Sequence, residues 1–362
     1  GESCMIKIKE LSFNEEIFRN IYLRKLLVGE IQGPLTNLPG VDKEWLKYYS
    51  EEQIKSNLPE ETISDYMEKG NLEYLNNYAI IYFDKKITYR EFFQRRDECV
   101  ASLIKNNIRQ GDVVTICMPG TPETLVVFYA LNKIGAIAHM VHPLSSENQI
   151  KDYVNKVDSK LIITIDASYE KVKNICDQTN IKKIVNVAPN DSMPFPLNII
   201  YPLTKSATKV KDKKNMVSWK DFLKEGKNVN VENYIVGYNK DRISVLLQTG
   251  GTTGISKCVA LTDYNFNSMV EQFKVNAQNF ERGDRMLTIM PPFHGFGLCS
   301  SMHLPLSYGV TIVLIPKINI EQIDKLIMKY SINDIIGVPT LFRGMKMVVN
   351  KKKELGKIKN FN

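Results

Sequence analysis

Metal spacings, disulfide pairs and membrane-length apolar runs are all missing from this sequence. Its six cysteines, Cys4, Cys99, Cys117, Cys176, Cys258 and Cys299, include no C-x-x-C pair. That excludes a zinc ribbon and argues for free thiols in a reducing, cytoplasmic setting over a disulfide framework. The four histidines give no H-E-x-x-H or related ligand spacing, so no metal is predicted to bind to them. No apolar run approaches the length of a membrane-spanning helix, so no integral membrane segment is expected. The amino terminus lacks the basic-then-apolar order of a secretory signal. With 43% hydrophobic and 24% charged residues in 362, the chain has ample material for a packed core of about two or three domains or subdomains.

The formal net charge is +8, and two stretches account for more than all of it. Residues 205–227 hold eight lysines against Asp212, Asp221 and Glu225, a net of +5. Residues 346–359 hold six lysines against Glu354, again +5. The first reads as a polar surface insertion and the second as an exposed helix end or tail. Neither interleaves aromatics with its basic residues as a single-strand platform does, so no nucleic-acid partner is expected.

Ser12 to Glu15 has the spacing of a capping box. Ile17, Phe18, Ile21 and Tyr22 follow at helical intervals, and Gly29 offers a stop. Residues 1–40 therefore read as an appended helix and linker. From Thr88 onward, short apolar strands alternate with helical segments. Strands are predicted at 112–118, 136–141, 161–165, 183–187, 243–248, 286–290, 310–315 and 334–338. Helices are predicted at 88–107, 122–134, 145–157, 264–278 and 320–330, with another starting near Leu341. This alternation indicates α/β architecture with largely parallel, buried sheets. Gly111-Asp112 followed by Met118-Pro119 is echoed by Gly283-Asp284 followed by Met290-Pro291, at a constant offset of 172. The echo suggests two similar layered α/β subdomains. The expected divisions are 41–240, containing the Lys-rich insertion, and 241–362.

The segment Thr249-Gly250-Gly251-Thr252-Thr253-Gly254-Ile255-Ser256-Lys257 follows a predicted strand directly. Glycines let backbone N–H groups approach an anion, threonine hydroxyls add donors, and the lysine adds a mobile positive charge. No acidic residue interrupts it. The segment is suited to holding polyphosphate. It is neither a Walker A loop nor a G-x-G-x-x-G dinucleotide loop, which argues against a P-loop ATP hydrolase. A second loop, Met290 to Leu298, also follows a strand and contains His294 between Phe293 and Gly295. By itself His294 reads as a solvated histidine. Its Pro, Phe and Gly neighbours suit the wall of a pocket. His139, His142 and His303 read as structural.

These two loops, in this order, resemble those of the adenylate-forming ligase superfamily, which includes acyl-CoA synthetases. Supporting matches are Ile87 to Phe92, Gly111-Asp112, Ala130 to Ala136 and Gly337-Val338-Pro339-Thr340. Trp45 to Tyr49 resembles an entry segment of acyl-CoA ligase relatives. The resemblance runs from about residue 41 to 345 and implies the fold of those enzymes' N-terminal domain. It implies ATP, Mg2+ and coenzyme A as cofactors and a small-molecule carboxylate, fatty or otherwise hydrophobic, as substrate. Thr249, Thr252, Thr253 and Lys257 would contact the β- and γ-phosphates. Gly250, Gly251 and Gly254 would shape the loop, and His294 would lie near the carboxylate and acyl pocket.

The sequence departs from the family at Ser256, where proline is usual, and at Cys258, where glycine is usual. Ser256 is expected to loosen the backbone, and Cys258 to add bulk. The family's Tyr-Gly-x-Thr-Glu segment, its Thr-Gly-Asp segment and the C-terminal domain with the adenylation lysine are not found. The 362 residues therefore read as the N-terminal part of a ligase, with the missing C-terminal domain as partner, and are expected not to turn over alone. The alternative is a non-catalytic nucleotide- or acyl-binding scaffold of the same fold.

Overall fold

The computed structural model describes residues 49–50, 58–204, 207–208, 210, 215–249, 256–276 and 280–354. The helix expected within residues 1–40, most of the basic stretch 205–214 and the loop residues Gly250 to Ile255 lie outside these. The chain divides into the units Gly1–Leu58 and Pro59–Asn362, and all the elements named here belong to the second.

The unit is α/β, with two largely parallel sheets, as the alternation predicts. The elements are α1 (Ile63–Lys69), β1 (Tyr78–Tyr82), β2 (Lys85–Thr88), α2 (Tyr89–Lys105), β3 (Val113–Cys117), α3 (Pro122–Lys133), β4 (Ile137–Met140), α4 (Glu147–Lys156), β5 (Leu161–Ile165), α5 (Asp166–Ile175), β6 (Lys183–Val187), β7 (Met216–Ser218), α6 (Trp219–Glu225), β8 (Ile243–Gln248), β9 (Cys258–Thr262), α7 (Asp263–Asn276), β10 (Arg285–Thr288), α8 (Leu304–Tyr308), β11 (Thr311–Leu314), α9 (Ile323–Tyr330), β12 (Asp334–Ile335) and α10 (Pro339–Glu354). A π-helical stretch, Phe296–His303, leads into α8.

Seven strands form one sheet in the order β7-β6-β5-β3-β4-β8-β9, and five form the other in the order β12-β10-β11-β1-β2. Among the described strands only the hairpin partners β9 and β2 run antiparallel, each at an edge. The sheets do not partition the chain at residue 240. Strands β1 and β2 join the late strands, whereas β8 and β9 join the early ones. The expected division at 240 is thus not the division between sheets, and the polyphosphate-type loop springs from the seven-stranded sheet.

Local sequence explains the main helices. Thr88 caps α2, its side chain accepting from Glu91 N–H while the Glu91 carboxylate accepts from Thr88 N–H at 2.9 Å. That reciprocal box satisfies two donors otherwise left bare at the helix start. Helix α3 is buried at every position from Pro122 to Asn132. A helix buried all round needs apolar surroundings on every side, and one core cluster joins it to residues of β1, β3, β4 and β11 from both sheets.

The echo at offset 172 is structural. Gly111 has φ +83° and Gly283 φ +94°, a region that glycine enters without strain. Asp112 accepts from Arg109 N–H at 2.8 Å, and Asp284 accepts from Glu281 N–H at the same distance. Gly111 N–H donates to Gly135 C=O at 2.9 Å, and Gly283 N–H to Gly309 C=O at 3.0 Å. The same turn thus opens β3 in one sheet and β10 in the other.

Candidate active site

Parallel strands aim their carboxyl ends to one side, and ligands of open α/β sheets bind there. Here the carboxyl ends of both sheets contribute to one region. Residues just beyond β3, β5 and β11 (Pro119, Ala167, Pro316 and Lys317) form a wall common to two adjoining cavities of about 530 and 560 Å³. The first cavity extends to His142, Met290, Phe293 and Met302. The second extends to Tyr82, Met193, Tyr201 and Leu326. Both are mostly apolar, and each lies within the size range of a small-molecule site.

The loop after β8 springs from the strand next to β4, and His142 beyond β4 lines the first cavity. Strand β8 pairs with β4 in parallel register, Leu246 against His139 and Leu247 against Met140. Thr249 N–H donates to Lys257 C=O at 2.8 Å, and Lys257 N–H donates back to Thr249 Oγ1 at 3.1 Å. Ser256 Oγ donates to Thr249 C=O at 2.7 Å. The expectation that Ser256 loosens the backbone is therefore corrected: its hydroxyl clamps the loop's base, a bond that proline could not make. Cys258 starts β9, opposite Gln248. Thr249 and Lys257 thus meet at the neck of the loop, and the Lys257 side chain is exposed. Gly250, Gly251, Thr252, Thr253 and Gly254 lie outside the described residues.

His139, fully buried on β4, supports this neck. Its Nδ1 lies 2.9 Å from Thr115 Oγ1, and its Nε2 lies 2.8 Å from Gln248 Nε2. Because the Gln248 amide nitrogen can only donate, His139 Nε2 accepts, which makes Nδ1 the protonated nitrogen of the neutral ring. Burial drives the His139 pKa down to about 4.

The second loop folds over the end of β8. A β-carbon on Gly295 would stand 3.1 Å from Leu247 Cδ1, so the two loops share this strand end. Phe293 stacks on His142 with ring centroids 4.1 Å apart. His294 is exposed, 5.0 Å from the Phe293 ring. It is Phe293 and His142, not His294, that line the first cavity. His142, which reads as structural in the sequence, therefore faces the site. Burial, the nearby His294 and Lys171 together lower its pKa. His303 is fully buried, as its apolar surroundings predict.

Close packing fixes the loop's shape. A β-carbon on Gly297 would meet Pro291 O at 2.0 Å and Pro291 C at 2.9 Å. Both obstacles are backbone, so Gly297→Ala must push the Pro291–Phe293 turn away. Such overpacking costs about 1–3 kcal/mol, and a urea titration will show it. An unchanged midpoint would mean the turn accommodates the methyl freely.

Among the described residues no group of three or more His, Cys, Asp or Glu side chains could hold a metal ion.

A profile of the family described as AMP-binding enzyme matches residues 68–361. A long-chain-fatty-acid–CoA ligase of Bacillus subtilis is 27% identical over 308 residues, covering 84% of this chain and 55% of its own length. A 4-coumarate–CoA ligase of Petroselinum crispum is 27% identical over 250 residues, covering 68% of this chain and 41% of its own. Among solved structures, a long-chain-fatty-acid-CoA ligase from Archaeoglobus fulgidus superposes with a TM-score of 0.66 at 19% identity, covering 83% of this chain and 55% of the other. The N-terminal domain of a Mycobacterium tuberculosis protein, FACL13, gives 0.62 at 19% identity, with 79% and 65% covered. The chain spans about half the length of the curated relatives it matches.

Proposed function

The chain belongs to the AMP-binding enzyme family, and from that premise we propose that it serves the ATP-dependent activation of a hydrophobic carboxylic acid. A carboxylate oxygen attacks the α-phosphorus of ATP, the bond to the β-phosphate bridge breaks, and pyrophosphate leaves. The thiol of coenzyme A then attacks the acyl carbon, and AMP departs with its electron pair. The observation that carries this reading is that the second loop both packs on Leu247, near the strand end from which the phosphate-type loop springs, and lines an apolar cavity.

In this reading the loop Thr249–Lys257 holds the β- and γ-phosphates. Its threonine hydroxyls and Lys257 offset charge that builds on the departing pyrophosphate, and the rigid neck holds them in place. The acyl chain occupies the paired cavities, and His142, Phe293 and His294 border the reacting carboxylate. The names of the relatives favour a fatty acid, with an aryl acid second.

The test is calorimetric binding of saturated acids of increasing length to the 362-residue chain in the presence of ATP. If the cavities hold the chain, each added methylene should strengthen binding by about 0.8 kcal/mol, roughly fourfold, until the space is full. Lys257→Ala should weaken ATP binding about tenfold, and calorimetry reads that directly. Unchanged ATP affinity would remove the loop from the site. Flat dependence on chain length would remove the cavities. Carboxylate-dependent exchange of pyrophosphate into ATP reads whether these 362 residues act alone. The expectation is none, and clear stoichiometric turnover overturns it.

A further inference from the structure

Among the described residues, the polar side chains on the wall of the first cavity are His142, Ser168, Thr288 and Lys317. The two hydroxyls are committed elsewhere. Ser168 Oγ donates to Pro143 C=O at 2.7 Å, and Thr288 Oγ1 donates to Ser301 C=O at 3.1 Å. That leaves His142 and Lys317 to meet a polar group entering the cavity. Lys317 is exposed and stands on the wall that both cavities share. It is a mobile charge that attracts an anion without choosing between them. His142 lines the first cavity and not the second.

Two contacts hold the His142 ring. It stacks on Phe293 with centroids 4.1 Å apart. Its Nδ1 lies 2.9 Å from the backbone nitrogen of Leu144, two residues on. A backbone N–H can only donate, so Nδ1 accepts, and the proton of the neutral ring sits on Nε2. Protonating Nδ1 would break that bond. Burial, His294 and Lys171 also hold the pKa below its ordinary value. Near neutral pH His142 is therefore an uncharged ring with a single N–H. With Nδ1 turned back to its own backbone, Nε2–H stands at the outer edge of a ring that lines the cavity, and no described residue accepts from it.

Sheet register places this donor. Met140 on β4 pairs with Leu247 on β8 in parallel, and His142 and Thr249 each lie two residues further on. Neighbouring strands are about 4.8 Å apart. The chain at His142 thus leaves the sheet beside the chain that enters the phosphate-type loop.

We propose that His142 Nε2–H binds one carboxylate oxygen of the acid substrate, placing the head group in the first cavity and leaving the second for the acyl tail. The other carboxylate oxygen stays free to attack. An uncharged donor suits this task, because an imidazolium could surrender its proton to the carboxylate and quench the nucleophile. The assignment rests on the acid-activation reading and names the group that would hold its substrate.

The test is calorimetric binding of decanoate, and of decanol with the same chain length, to the 362-residue chain at neutral pH without ATP. The parent should bind decanoate about tenfold more tightly, the ordinary worth of a hydrogen bond to a charged group. His142→Phe keeps an aromatic ring for Phe293 but loses the donor, so it should bind the two ligands alike. His142→Gln retains an N–H and should keep part of the preference, which separates the lost donor from a disturbed fold. Lys317→Gln should lower the preference less than His142→Phe does. A His142→Phe variant with the parent's preference overturns the proposal, as does a preference that Lys317→Gln abolishes. A parent that binds both ligands alike overturns it too, while leaving the cavities as the site of the chain. A parent that binds neither ligand removes the acid-activation reading, and this assignment with it.

Discussion

Asp263→Ala is expected to cost about 3–5 kcal/mol of folding stability, the range for stripping one partner from a buried ion pair. Asp263 is fully buried at the first position of α7, directly after β9. Its Oδ2 accepts from Arg242 Nη2 at 2.9 Å, and the Arg242 side chain is only 9% exposed. Its Oδ1 accepts from Asn132 Nδ2 at 2.6 Å, Ser244 Oγ at 2.8 Å and Ile63 N–H at 3.3 Å. One carboxylate thus ties α1, α3, the approach to β8 and β8 itself to the hairpin that bears the phosphate-type loop. Alanine would leave a guanidinium without its counter-charge and three donors without an acceptor. Asp263→Asn keeps an acceptor but not the charge, and should fall between alanine and the parent. Urea titration of the three proteins decides it, and a loss below about 1 kcal/mol for alanine would show that water replaces the network. ATP affinity should fall with stability if the hairpin's anchoring also shapes the loop.

How far the sequence discloses this architecture depends on what kind of signal each element carries. Strands β3, β5, β6 and β8 are short apolar runs buried in parallel sheets, and β5, β6 and β8 have the predicted bounds. The β1–β2 hairpin escapes notice because its turn lacks the usual residues. Phe83 and Asp84 occupy the two turn positions at φ 45° and 69°, where Asn-Gly or Asp-Gly is the recognisable pair. Contacts from elsewhere in the chain hold that turn: Lys329 and Tyr330 donate to Asp84 at 2.8 Å. Such long-range support leaves no local trace. Strand β9 escapes for another reason. It is an edge strand with Val259 and Ala260 exposed, so it lacks the buried run that marks its neighbours.

The site shows the same contrast. Glycine, threonine and lysine crowded after a strand mark the phosphate-type loop without any knowledge of its surroundings. The cavities leave no such mark. Their common wall is Pro119, Ala167, Pro316 and their neighbours, small residues that matter because three strands end together. That convergence is a fact of sheet order. Order also explains His142: the Pro143 that follows it suggests a turn, and only the approach of Phe293 from the other sheet makes it part of a pocket wall.

Acid should unfold this domain through two fully buried histidines. His303 is fully buried, with Nδ1 2.9 Å from Tyr129 Oη and Nε2 2.9 Å from Asn267 Oδ1. Asn267 Nδ2 donates to Glu61 C=O at 2.9 Å, so its Oδ1 accepts and His303 is neutral with the proton on Nε2. Burial lowers the His303 pKa to about 3 and that of His139 to about 4. Both lie below the ordinary value of about 6.5 found in an unfolded chain. The unfolded state therefore takes up protons first. The stability from keeping these rings neutral is intact above about pH 6.5 and drains as pH falls towards 4 and 3. At about 1.4 kcal/mol per pKa step, the two together remove on the order of 5 kcal/mol between about pH 6.5 and 4.5. Glu123, Asp166 and Asp191 oppose this, since burial raises their pKa values. Comparison with variants is thus the clean measurement. His303→Gln and His139→Gln should each be less stable at neutral pH yet lose less on acidification than the parent. A variant with the parent's pH slope would exclude that histidine as the titrating group. Protonating His139 also has a local effect: a proton on Nε2 would face the donating amide of Gln248, 2.8 Å away and one residue before Thr249. The neck of the phosphate-type loop should therefore loosen only as pH nears about 4, where folded His139 takes up its proton, and molecules still folded there should bind ATP less tightly.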